Sequence, residues 1–179
     1  KDYKKMVTMD FKQTDNLVIV IGKTEGHIDQ SLFARTILDE KNGPPPEVNL
    51  FNEKNNGNSL LNLIEKNLVV SAHDVSLGGI LTALSKMCIK GNKGIKIEKI
   101  KNLMTDIEFF FAEDQGRYLV EINPKDLKEV SKILDKNSVH HEKIGIIIEN
   151  DVIIDKETKV TIDELKTYNS NWLTNYMNS

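Results

Sequence analysis

Two hydrophobic periods alternate along the chain. Leu17-Val18-Ile19-Val20-Ile21 is an unbroken apolar run closed by Gly22, which predicts a strand covered on both faces. Lys23 to Gln30 reads as a loop containing Gly26, and Ser31 is placed to cap a helix carrying Leu32, Phe33, Ile37 and Leu38. The same order returns at Leu68-Val69-Val70, a short run that predicts a buried strand. A polar turn from Ser71 follows, then a helix with Ile80, Leu81, Leu84, Met87 and Cys88 on one stripe. Asp74 or Ser76 is its expected cap.

Between these units, Asn42-Gly43-Pro44-Pro45-Pro46 predicts an extended connector. Asn58-Ser59 is placed to cap a short helix holding Leu60, Leu61 and Ile64. Downstream, Ile95 to Ile100 alternates strictly, predicting a strand with one solvated face that carries its lysines. Ile107 to Ala112 fits either strand or helix, and Glu113-Asp114-Gln115-Gly116-Arg117 is a charged turn before a strand at Tyr118–Ile122. Asn123 and Pro124 predict the start of a helix faced by Leu127, Val130, Ile133 and Leu134. Strands are expected at Ile144–Ile148 and Val152–Ile154. Asp163 is the expected cap of an amphipathic last helix through Leu165, Tyr168, Trp172 and Tyr176.

From Leu68 to Ile148 the order is strand, helix, strand, strand, helix, strand, the split βαβ arrangement of ferredoxin-like folds. The fold class is therefore α/β (α+β), a mixed sheet with packed helices on a ferredoxin-like core. The first strand–loop–helix and the last helix are additions to it. Residues 1–16 read as a linker or edge segment and 17–179 as one domain.

Composition narrows the function classes. The chain has 179 residues, 39% of them hydrophobic and 28% charged, ordinary values for a domain with a real core. A net charge of −3 gives no basic field for nucleic acid or an anionic membrane. No apolar run approaches the roughly 18 residues of a membrane span. The single cysteine, Cys88, excludes an internal disulfide and falls at a core position, which fits a reducing, cytoplasmic setting. The chain starts at Lys1 rather than Met, as expected of a processed or deliberately cut piece.

Candidate chemistry centres on the two glycine-containing corners and the acidic turn. Gly78 and Gly79 leave the first helical turn bare, so a phosphate or carboxylate can approach its amides; equally, the two glycines let helix and strand pack closely. Arg117 either clamps an anion or pairs with Glu113 or Asp114 and stiffens the turn. His73 and Asp74 are neighbours on a strand end and point apart, so His73 is read as structural. His140-His141 lacks a third ligand at metal spacing, and His27 reads as an exposed loop residue.

Two stretches carry a family resemblance. Ser71-Ala72-His73-Asp74-Val75-Ser76-Leu77-Gly78-Gly79-Ile80 and Phe111-Ala112-Glu113-Asp114-Gln115-Gly116-Arg117-Tyr118 resemble signatures of the phosphoribosylformylglycinamidine synthases. Gly26 to Phe33 and Gly43 to Leu50 add weaker echoes in the same order. The resemblance is to the second half of the second of two tandem copies in the synthetase subunit. It implies the C-terminal domain fold shared with aminoimidazole ribonucleotide synthetase, and a helix around Trp172 as the end of the subunit.

For the whole enzyme it implies an ATP- and Mg2+-dependent ligase. That ligase activates the amide oxygen of formylglycinamide ribonucleotide and lets glutamine-derived ammonia displace the phosphate. Its partners are the preceding synthetase domains, a glutaminase subunit and a small bridging subunit. The catalytic histidine and the principal ATP and Mg2+ ligands belong to other segments, so no catalytic, metal or cofactor residue is expected here and the piece alone is expected to be inactive. Asp74, Ser76, Gly78, Gly79, Glu113, Asp114, Gln115 and Arg117 are the positions implied to face substrate or an auxiliary nucleotide. Leu77 stands where the family has Asp, which weakens that implication for its loop. The alternatives are the corresponding domain of aminoimidazole ribonucleotide synthetase or of another ATP-dependent relative, and a purely structural packing domain. An apolar face normally covered by missing neighbours predicts self-association, up to a homodimer of the piece.

Overall fold

The chain folds around a seven-stranded mixed sheet with helices on both faces, here as a computed structural model that describes residues 3–98, 104–155 and 158–178. Strand β1, Leu17–Ile21, is buried at every position. Val18 and Val20 face one layer of helices and Leu17, Ile19 and Ile21 face the other, so one apolar run serves two cores. The sheet order is β2-β4-β1-β5-β3-β6-β7, with β2 at Ser71–Val75, β3 at Gly94–Ile97, β4 at Arg117–Ile122, β5 at His141–Ile148, β6 at Val152–Ile153 and β7 at Lys159–Val160. All neighbouring pairs are antiparallel except β3 and β6. The mixed sheet with packed helices is as the pattern predicts. Strand β1, however, is not an addition at the margin: it lies between β4 and β5 and pairs with both.

On the first face, α3 (Gly79–Gly91) sets Ile80, Leu84, Met87 and Cys88 against the sheet, joined by Phe109 and Phe110 of α4 (Asp106–Phe111) and by Ile162. Each fully buried side chain of this size stabilises the fold by roughly 1.5–3 kcal/mol. The opposite face carries α2 (Leu50–Glu65) and α5 (Leu127–Lys136), through Leu60, Leu63, Val130 and Leu134. Burial pushes the Cys88 thiol up to about 12. The folded protein at pH 8 is therefore expected to leave Cys88 unlabelled by a thiol reagent, with labelling appearing only on denaturation.

Several predicted elements move. The second strand is Ser71–Val75, not Leu68–Val70, because Leu68 and Val69 pack on the second core before the chain enters the ladder. Helix α2 starts at Leu50 under an Asn49 cap, and Asn58 and Ser59 lie inside it. Thr105 and Thr161, each closed by a glutamate three residues on, cap α4 and the last helix, α6 (Ile162–Met177), so Asp163 is not the cap. These backbone bonds and threonine hydroxyls hold Glu108 and Glu164 below the ordinary carboxylate range. Ser31 caps α1 (Leu32–Thr36) as predicted, and Ile37 ends that helix. Of the alternating segment from Ile95, Lys99 and Ile100 lie outside the described residues.

Upstream of β1, the chain runs along the open edge of β2, where the Ala72 amide donates to the Thr8 carbonyl at 3.1 Å. Phe11 is buried under α3, and the Glu121 carboxylate of β4 accepts from the Lys12 and Gln13 amides, the Asn16 amide group and the Ser71 hydroxyl at 2.7–3.0 Å. Among the described residues no helix is long and apolar enough to cross a membrane.

Candidate functional site: an acidic turn between two strand-to-helix corners

The Glu113–Arg117 turn leaves α4 and enters β4, which brings it to the ends of β1 and β2 at once. Glu113 Oε1 accepts from the Leu32 amide at 2.7 Å and from the Gly78 amide at 2.8 Å. One carboxylate oxygen thus bridges the starts of α1 and α3, where the helix ends favour negative charge. Asp114 turns the other way. Its two oxygens accept from the Glu25, Gly26 and His27 amides at 2.8–3.2 Å and so fix the loop after β1. Gln115 Nε2 donates to the Glu113 carbonyl.

Arg117 is fully buried beneath the turn. It donates to the carbonyls of Ala112 and Asp114 and to the Thr24 hydroxyl, and its guanidinium lies 3.8 Å from the Asp114 carboxylate. Burial lowers its pKa, opposed by the charges of Asp114 and Glu113. The Arg117 side chain thus lies inside the turn, ringed by acceptors of the turn itself and of the loop after β1.

The second corner differs from expectation. Asp74 and Ser76 do not cap α3, because Asp74 lies within β2 and the N-cap is Gly78 with no side-chain bond. The Gly78 amide is taken by Glu113 and the Gly79 amide by the Ser76 carbonyl. Gly79, at φ +68°, is required: a Cβ there lies 2.5 Å from the Phe110 carbonyl oxygen and 2.7 Å from that of Ala112. The close-packing reading of the glycines therefore holds at Gly79. His73 and Asp74 do not point apart, since His73 Nδ1 lies 3.1 Å from Asp74 Oδ1. The exposed carboxylate reaches its neighbour's ring from the solvent side, while His73 Nε2 is buried with no hydrogen-bond partner among the described residues.

Beside the turn opens a polar cleft of about 570 Å³, lined by Lys23, His27, Asn52, Glu53, Gln115 and His140 among others. Of the positions implied to face substrate or an auxiliary nucleotide, Asp114 and Gln115 line it; Asp74, Ser76, Gly78, Gly79, Glu113 and Arg117 do not. His27 Nε2 lies 2.9 Å from the Pro44 carbonyl, which draws the proline connector over the cleft's rim. Asn56 of α2 donates to the Gly116 carbonyl at 2.9 Å and ties the turn to the opposite wall. Burial, and then the Glu53 and Asp74 charges, raise the pKa of Tyr118, the next residue of β4. The α2 residues of this wall were not found in the sequence. Their only signal is the run of asparagines, which by propensity argues against helix.

The fold and site define a three-layer α/β domain in which one acidic turn braces two strand-to-helix corners. The chain belongs to the family of the AIR synthase related protein, C-terminal domain, whose model matches residues 13–156. It is similar to the phosphoribosylformylglycinamidine synthase subunit PurL of Pelagibacter ubique, with 62% identity over 177 residues, 99% of this chain and 24% of that protein. The chain spans about a quarter of the length of the curated relatives it matches. Thermotoga maritima PurL complexed with FGAR shares its fold at TM-score 0.77 and 22% identity, over 91% of this chain and 30% of that one. PurLQS from the same organism gives 0.70 and 23% over 92% and 28%.

Proposed function

We propose that this chain serves as the C-terminal domain of a PurL-type phosphoribosylformylglycinamidine synthase subunit. In this reading the whole enzyme converts formylglycinamide ribonucleotide, glutamine-derived ammonia and ATP to the amidine, ADP and phosphate. Identity of 62% with one PurL along 177 residues carries the reading. The PurLQS assembly of the Thermotoga maritima relative supports glutaminase and bridging subunits as partners. We place the enzyme in the cytoplasm.

ATP and Mg2+ are assigned to the rest of the polypeptide. Supporting this, both Asp114 oxygens are occupied by backbone amides. At the start of α3 the Gly78 amide is bonded to Glu113 and the Gly79 amide to the Ser76 carbonyl. The domain's own contribution is a fixed wall: Glu113, Asp114 and Arg117 position the corners, and Gln115 faces the cleft. Asp74, Ser76, Gly78 and Gly79 belong to the wall's structure in this reading, rather than to ligand contact.

The test is ammonia-dependent ATP hydrolysis with formylglycinamide ribonucleotide by the polypeptide encoded with its upstream region. Activity is expected there and none from residues 1–179 alone. Absence of substrate-dependent hydrolysis in the longer polypeptide overturns the reading.

A further inference from the structure

Helix α6 is unlike the rest of the surface. From Thr167 to Ser179 the sequence holds no charged residue, in a chain that is 28% charged. Tyr168 is 77% exposed, Trp172 65%, Leu173 58% and Met177 73%. At 100° per residue these positions lie along one half of the helix circumference, which Asn169 shares and which Lys166 borders at the anchored end. The start of the helix is anchored, Ile162 being buried in the first core and Leu165 packed against it. The apolar face continues into a groove of about 540 Å³ between α6 and α3, lined by Leu81, Ile89, Phe111, Tyr168 and Trp172 among others. Tyrosine and tryptophan with no charge among them are the composition of an interface core, and permanent interfaces are the more apolar ones.

We propose that the uncharged face of α6 docks against an apolar surface of another domain of the same longer polypeptide. This rests on the reading of the chain as one part of a synthase subunit. Three observations select that occupant. The relatives are about four times as long as this chain, so most of their surface lies outside it. The domain family's model stops at residue 156, before α6, whereas the match to the Pelagibacter PurL covers 177 of the 179 residues. The helix therefore goes with the long subunit and not with the shared domain. A membrane surface is disfavoured because the helix carries a single lysine, Lys166, against two acidic residues, Asp163 and Glu164.

Hydroxyl-radical footprinting with peptide-level mass spectrometry tests this, comparing residues 1–179 with the polypeptide encoded with its upstream region. Oxidation of Trp172 and Met177 is expected to be several-fold slower in the longer polypeptide. Equal rates in the two overturn the proposal. So does protection of residues 1–179 alone that grows with concentration, which marks a second copy, or a reading frame with no upstream domains. Substrate-dependent ATP hydrolysis in the same preparation separates the two readings, since a protected helix in an inactive polypeptide overturns the synthase assignment and leaves the interface standing.

Discussion

Glu121→Ala is expected to lower stability by about 3–5 kcal/mol, because it strands several donors at one buried point. Glu121 is fully buried in β4 and its carboxylate takes four hydrogen bonds. Two come from the backbone at Lys12 and Gln13, one from Asn16 just before β1 and one from Ser71 at the start of β2. The side chain therefore joins the segment before β1 to two strands. Removing it leaves the Ser71 hydroxyl and the Asn16 amide without partners in the interior. Glu121→Gln keeps the volume and one acceptor oxygen and is expected to cost less, about 1–3 kcal/mol. Urea denaturation checks both, as a fall in midpoint at nearly constant slope. A midpoint for Glu121→Ala within error of the parent contradicts the packing described.

Gly79→Ala ranks next, at about 2–5 kcal/mol, combining the strain of a left-handed alanine with overpacking. The Cβ meets backbone carbonyls of Phe110 and Ala112, which are held by α4 and by Arg117 and have nowhere to move. Gly78→Ala is the control. Its φ is also positive, but the added Cβ meets one side chain, Thr82, lying 2.9 Å from its Cβ, rather than two backbone carbonyls. That variant is expected to cost less than Gly79→Ala, about 1–3 kcal/mol. Equal costs for the two by thermal or urea unfolding contradict the account of this corner.

Much of this architecture was legible before any coordinates. An apolar run without a polar position can only be a doubly covered strand, and β1 is one. Ser31, Asn123 and Pro124 mark helix starts through their own backbone chemistry, which needs no tertiary context. The acidic turn was legible as a turn, but its job was not, since Glu113 acts on amides 81 and 35 residues away. Helix α2 was read only in its second half, at Leu60, Leu61 and Ile64, for the opposite reason. Five asparagines, a glycine and a serine argue against helix locally, and tertiary bonds overrule them: Asn56 to the Gly116 carbonyl, and Ser59 accepting from Asn137. The cleft walls that α2 builds were lost with it. The central place of β1 was likewise invisible, because chain order does not state which strands pair.

The brace itself is tested most directly by amide hydrogen exchange at Leu32 and Gly78 in Glu113→Ala. One carboxylate oxygen holds both amides, so both are expected to exchange faster together, by about tenfold or more, the size of a hydrogen bond to a charged group. Unchanged exchange at both amides, or a change confined to one corner, contradicts a turn that ties the two together.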